Sequence, residues 1–488
     1  MTLHIRYTAL LLLVSTLSSP VAVHAQFGGG GFGGQGGGQG GGGGGFGGGQ
    51  GGGQGGQGGG QGGGGQGGGV GGISIDAKGV VTPAFQKEKS NRLVKKRLAE
   101  FANENLSSDL NAPSELRKVS LVRLEKAARK YADEKKHVTA EMQFLAGLQR
   151  IDYVFLYPET GDLVIAGPAE GFAPNQIGRV VGVTTGRPPL RIDDLIIALR
   201  TVPKASMIGV SIDPKPDNLA NFGRYARANT SATTTAGIQR RFQQMRRILG
   251  MQDVSVFGVP ADSHFAAALV EADYRMKLIS TGLEKPTLRG FRSHLDLIRP
   301  GGNTLQRWWF APLYDAFLQS SDGNAFQFSG QRVQLMSQSE HSTIAGQRSD
   351  AAFTRVSTQK YGELFTERFE ELAAISPVFA ELQNLIDLSI LVALFEKEQL
   401  PKKANWSMEL FLDPERTPLV KNNSPKEVGS VVNMKRAGRV ILGVVGGVSI
   451  RPAELLSRIP IKQEGNRELD GTVAKSLPPA DMSNWWWD

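Results

Sequence analysis

The chain contains no cysteine. Disulfides, thiol catalysis, thiolate metal ligation and cysteine-held iron-sulfur clusters are therefore excluded, and the fold must be held by its core alone. Histidine is scarce too: beyond residue 25 only His137, His264, His294 and His341 occur. No pair of these has local metal-ligand spacing, so neither a metal site nor a cofactor is expected. Catalytic signatures are missing in the same way, beginning with the Gly-x-Ser-x-Gly elbow. Asp262-Ser263-His264 holds triad residue types, but three adjacent side chains cannot align as nucleophile, base and orienter; it reads as a helix cap. Ser357-Thr-Gln-Lys360 matches Ser-x-x-Lys inside an amphipathic helix, with no Lys-Thr-Gly after it. Gly178, Gly182 and Gly186 straddle a strand, yet this stretch has neither Gly-Lys-Ser/Thr nor Gly-x-Gly-x-x-Gly. Ser321-Asp-Gly-Asn324 lacks the alternating acids of a calcium loop. No catalytic residue is assigned.

Long apolar runs are few. Arg6, the apolar Tyr7 to Leu17 and Val23-His24-Ala25 form the pattern of a secretory signal peptide over residues 1–25. After it no segment reaches spanning length, and Val440 to Ile450 and Ile386 to Phe395 read as buried elements. The chain is thus expected to be exported, periplasmic or extracellular, with no membrane span after cleavage.

What is abundant is glycine, 63 residues in all. Residues 26–72 are almost wholly Gly and Gln without charge, a composition expected to stay disordered as a linker or low-complexity tract. Hydrophobic content of 40% and charge of 21% otherwise suit globular cores. Residues 73–150 read as a basic helical region. Within 87–136, fourteen Lys or Arg stand against eight Asp or Glu, a net of +6 in a chain of net +9. Pro113 is expected to open its longer helix, with Leu121, Leu124, Ala128 and Tyr131 on one face and Lys126, Arg129 and Lys130 on the other.

Residues 151–300 read as an α/β domain. A hairpin joins Tyr153–Tyr157 to the strand after Asp162. Two β-α-β units are expected: 179–184, 191–200 and 206–212, then 254–259, a helix from Ser263, and a strand begun by Met276, Leu278 and Ile279. Two helices, 218–228 and 234–249, lie between. Residues 301–460 alternate as a β-meander, followed by a helix capped by Asp350, a core helix from Pro377 and a hairpin of 428–434 with 440–450. The stretch 461–488 reads as a loose tail ending in Trp485-Trp486-Trp487-Asp488. The fold class is mixed α/β (α+β). Gly-Val-Ser-Ile recurs at 209 and 447, and each copy reads as a strand entered from glycine.

At Lys118-Val-Ser-Leu, Tyr153-Val-Phe-Leu-Tyr-Pro-Glu, Ala166-Gly-Pro-Ala-Glu-Gly171, Ala272-Asp-Tyr-Arg-Met-Lys277 and Arg307-Trp-Trp-Phe310 the chain resembles a family of exported planctomycete proteins known only as a domain of unknown function. The resemblance spans roughly 73–460 and implies export and one recurrent core, with no activity attached.

The expected function is that of a non-enzymatic envelope or matrix protein whose Lys126, Arg129 and Lys130 hold anionic lipid, lipopolysaccharide or polysaccharide. Arg307, Trp308 and Trp309 are candidates for stacking on a sugar. Nucleic acid is not expected as a partner. The alternative is a hydrolase of envelope polymers working through paired carboxylates among Glu159, Asp162, Glu170 and Asp213, which requires two of them in one cleft.

Overall fold

The computed structural model describes residues 72–75, 81–84, 92–229, 231, 234–298, 304–342, 348–352, 354–435 and 440–488. The segment read as a signal peptide and, up to residue 71, the Gly/Gln-rich leader lie outside these residues. The first described strand, Gly72–Ile75, pairs antiparallel with Val81–Ala84.

Helices and largely antiparallel sheets make the expected α+β fold. In chain order the strands of the two large sheets begin with β1 (Ser114–Ser120), β2 (Tyr153–Tyr157), β3 (Asp162–Ala169), β4 (Ile208–Pro214) and β5 (Met251–Phe257). They continue with β6 (Thr304–Leu313), β7 (Phe317–Gln319), β8 (Ala325–Phe328), β9 (Arg332–Ser342) and β10 (Arg348–Asp350). Last come β11 (Glu427–Gly429), β12 (Val432–Lys435), β13 (Val440–Ile450), β14 (Ile461–Gln463) and β15 (Trp486–Trp487). The seven-stranded sheet runs β14-β7-β8-β2-β3-β1-β15. The eight-stranded sheet runs β10-β9-β6-β13-β4-β5-β11, with β12 also on β13. Both sheets draw strands from distant parts of the chain.

The helices that matter below are α1 (Leu121–Asp133), α2 (Ile192–Thr201), α3 (Pro216–Ala228), α4 (Thr235–Leu249), α5 (His264–Ser280), α6 (Val356–Glu367), α7 (Phe369–Ile375) and α8 (Pro377–Glu398). Ser263 caps α5 by accepting from the Ala266 N–H, and Pro377 sits in the first turn of α8. Among the described residues α8 alone is long and apolar enough to cross a membrane, but its apolar window is wholly buried in the fold. It packs on α2, α5, α7 and β9, so a stretch apolar nearly all round is what its surroundings demand, with the buried Asp387 paired to Arg332.

Several expectations are corrected. Neither of the two expected β-α-β units forms. Met276, Leu278 and Ile279 continue α5, and β4 and β5 pair antiparallel. Strand Val180–Gly182 pairs with Phe172–Pro174, outside the sheet that holds β4. Nearly every residue of α5 from Phe265 to Ser280 is buried. Such a helix shows no 3.6-residue stripe to separate it from a strand. The helix expected from Pro113 starts only at Leu121, behind the cap Ser120; residues 114–120 are β1, paired with β3 and β15. The meander is split: β6 and β9 pair in one sheet while the β7–β8 hairpin joins the other. Asp350 belongs to β10, and Arg355 precedes α6.

The tail is not loose. Residues 461–463 pair parallel with β7, residues 468–474 form a helix, and the Trp triplet docks on β1. Trp485 is buried. Arg117, with no exposed side-chain surface, holds Asp488 through two 2.9 Å bonds and donates to the carbonyls of Asp109, Leu110, Ala112 and Ala146. Arg123 pairs bidentately with Asp162 at 2.8 Å and reaches the carbonyls of Pro479, Asp481 and Asn484. Two arginines counted as basic surface are thus interior clamps.

The Gly-Val-Ser-Ile copies meet. β4 and β13 pair antiparallel with Gly209 opposite Ser449, Val210 opposite Val448 and Ser211 opposite Gly447. A Cβ on Gly447 would lie 2.0 Å from the Val210 oxygen, and one on Gly209 1.9 Å from the Val448 oxygen. These glycines are interior points where the strands close too tightly for a side chain, not strand entries.

Candidate functional site

The connection from β4 to β5 is a helical hairpin. Pro216 sits in the first turn of α3, and Thr234 caps α4 by accepting from the Gly237 N–H. Leu219, Phe222, Ala226, Met245 and Leu249 form a satellite core with Val432 of β12, which turns the other faces of both helices to solvent. Those faces carry Arg224, Arg227, Arg240, Arg246 and Arg247, all exposed, and the half-buried Arg241. Asp217 is the only acid in either helix. Among the described residues none of the six arginines forms an ion pair. Arg224 donates to Asn221, and Arg241 to the carbonyls of Asn229 and Ser231. A shallow groove between the helices is lined by Tyr225, Arg240, Arg241, Gln243, Gln244 and Arg247.

The basic residues singled out on α1 are more balanced. Lys126 and Lys130 are exposed, but Arg129 stands 3.8 Å from Glu409, and Asp133 on the same helix pairs with Arg416. The arginine hairpin was readable as Arg240-Arg241 and Arg246-Arg247 in an acid-free, Gln-rich stretch.

Arg307, Trp308 and Trp309 divide by strand alternation. Trp308 is fully buried, its ring 4.7 Å from His294 and 5.2 Å from Tyr361. Trp309 lies partly exposed on the opposite face with the Arg307 guanidinium 5.2 Å over its ring. That face brings Met336, Trp309, Gly447, Ser211 and Ser255 into one row across five strands. Arg307 and Trp309 are therefore together, and Trp308 is core.

The four loop carboxylates occupy separate settings. Asp162 is buried against Arg123 and Ser120. Glu170 accepts from Gln149, from both the N–H and hydroxyl of Thr185, and from the Thr184 N–H. Burial would raise its carboxyl, but these hydrogen bonds hold it below the usual range. Asp162 and Glu170 bracket β3, about 25 Å apart at ~3.3 Å per residue. Asp213 is in the other sheet, paired with Arg348, and Glu159 is exposed on the β2–β3 turn.

The most charged interior cluster was not foreseen. His264, the first residue of α5, places Nδ1 2.8 Å from Asp194 of α2 and Nε2 3.8 Å from Glu381 of α8. Arg179 reaches Glu381 at 3.4 Å and also pairs with Glu271. One oxygen each of Asp194 and Glu381 has no hydrogen-bond partner. Burial alone would lower the His264 pKa, but Asp194 and then Glu381 raise it to about 10. The imidazolium thus persists at neutral pH, which makes His264 an ion-pair member rather than a general base. Because its folded pKa lies above the unfolded value of about 6.5, its contribution to stability is complete below that pH and vanishes as pH rises through about 10. His264→Gln is expected to cost about 3–5 kcal/mol at pH 6, shrinking toward zero above pH 10. Denaturant melts of both proteins across that range check it; a pH-independent difference would count against the ion pair. Among the described residues no group of three His, Asp or Glu side chains is arranged to hold a metal ion.

No curated protein and no solved structure matches the chain. Residues 210–294, from within β4 through the arginine hairpin and α5 to His294, match the family model described as "Protein of unknown function (DUF1598)", so this stretch is similar to a domain of unknown function.

Proposed function

We propose that the chain is an exported, non-enzymatic protein that attaches to anionic envelope or matrix material through the α3–α4 hairpin, with Lys126 and Lys130 of α1 as a secondary patch. The observation that supports it is the set of six arginines on the hairpin with no carboxylate partner among the described residues. Guanidinium forks suit phosphate, sulfate and carboxylate groups, and unpaired surface charge attracts a polyanion without a deep cleft. The hydrolase alternative has less support, since Asp162, Glu170 and Asp213 have separate partners and Asp162 and Glu170 stand at opposite ends of β3.

The purified chain should cosediment with vesicles containing anionic lipid, or be retained on acidic glycan beads, at low salt and be released at high salt. Basic residues near an anionic surface contribute roughly 1 kcal/mol each, so combining Arg240→Glu, Arg241→Glu and Arg247→Glu should weaken binding by ~100-fold or more. Lys126→Glu with Lys130→Glu should have the smaller effect. Absence of retention at low salt, or indifference to the three arginine changes, would refute the reading.

A further inference from the structure

Asp273 and Lys277 lie one helical turn apart on α5, and neither side chain has any exposed surface. The Lys277 Nζ is 2.9 Å from Asp273 Oδ2 and 3.2 Å from the Ile212 carbonyl of β4. Neither Asp273 oxygen has a well-aligned hydrogen-bond donor, so the 2.9 Å approach of Lys277 is a close contact of the two groups without hydrogen-bond geometry. On the strand side the pair faces β13: a Cβ on Gly446 would come 3.1 Å from Asp273 Oδ1, a tight contact, and 1.9 Å from the Trp308 carbonyl oxygen, which is what requires glycine there.

Two full charges in such a place are costly. Burial is the larger influence on both groups; it pushes the carboxyl up and the amine down, against the attraction between them. Of the surrounding charges, Asp213 raises both Asp273 and Lys277, while Arg348 lowers Lys277. The directions agree: the pair moves toward carboxylic acid and free amine. A free amine held against a protonated carboxyl, with water excluded, is the arrangement that amide formation requires.

We propose that Asp273 and Lys277 are joined by an intramolecular isopeptide bond. The Lys277 Nζ lone pair attacks Asp273 Cγ, and the C–N bond forms as the C–O bond breaks. The carboxyl hydroxyl leaves as water, taking one amine proton. No oxidant, cofactor or second substrate is consumed. Side chains four residues apart on a helix face each other across about 5–6 Å between Cβ atoms, a span that the lysine stem and an amide cover without unwinding α5. The loop closed is short, so the bond acts locally. It staples one turn of α5, the helix that packs on β4 and β13, and removes two buried ionisable groups from a chain that has no disulfide.

The intact mass of the folded full chain, denatured immediately before measurement, should be lighter than that of its sequence by one water. Lys277→Arg should show its full sequence mass, and Asp273→Asn should be lighter by one ammonia through the same attack. Trypsin cuts after Arg275, between the two residues, so the peptide ending there and the one beginning at Met276 should remain covalently joined. A wild-type chain at full mass overturns the proposal, as does a lost water with these two peptides separate.

Discussion

A chain ending at Asn484 is expected to lose cooperative folding at 25 °C. Removing residues 485–488 leaves Arg117, fully buried, without the Asp488 carboxylate, its one ion-pair partner among the described residues, and uncompensated buried charges of this kind cost about 3–5 kcal/mol. Removing the buried Trp485 ring adds about 3–5 kcal/mol by analogy with aromatic truncations in cores. The bond from Ser120 N–H to the Trp485 carbonyl and the pairing of β15 with β1 go as well. The sum matches the whole stability of an ordinary domain, about 5–15 kcal/mol. Thermal melts followed by near-UV circular dichroism, for the full chain, the truncation and Trp485→Ala, separate the contributions. Trp485→Ala alone should lower stability by about 3 kcal/mol. A truncated chain melting within a few degrees of the full one would show that the docked tail does not hold β1.

Glu381→Ala is expected to cost about 3–5 kcal/mol, with a pH signature that cavity formation alone would not produce. The carboxylate lies between Arg179 and His264, and although burial opposes its charge, those two cations keep its pKa below the ordinary value. Without it, Arg179 retains Glu271 and His264 retains Asp194, so His264 should still be protonated near neutrality but titrate lower than in the wild type. Imidazole proton shifts read by NMR across pH 6–10 test this directly. An unchanged His264 titration together with a small stability loss would mean that the 3.8 Å approach carries no coupling.

The secondary structure that local chemistry dictates was legible before any tertiary contact was known. Ser263 caps α5, Pro377 opens α8, Thr234 starts α4, and the hairpin of β2 with β3 follows from its Pro-Glu-Thr-Gly-Asp turn. Alternation along β6 called for one of Trp308 and Trp309 to be core, and Trp308 is. The site fared less well. Charge counting over 87–136 favoured the segment richest in lysine and arginine, yet Arg117 and Arg123 of that segment are interior. A tally of charges cannot distinguish a guanidinium that faces water from one that clamps a tail 371 residues away in sequence.

By itself the sequence determined the absence of thiol chemistry, the Ser263 and Thr234 caps, the turn between β2 and β3 and the largely apolar core segment of α8. Each of these depends on one residue's chemistry or on neighbours within a few positions. Only the tertiary structure decided which strands share a sheet, that 114–120 is a strand, that 276–279 stays helical, and that Trp485 to Asp488 complete the fold. Those outcomes rest on partners far apart in the chain, where pairing and burial outweigh weak local preference. For the same reason the arginines of α3 and α4 emerged as unbalanced only once the carboxylates of the described residues had been placed.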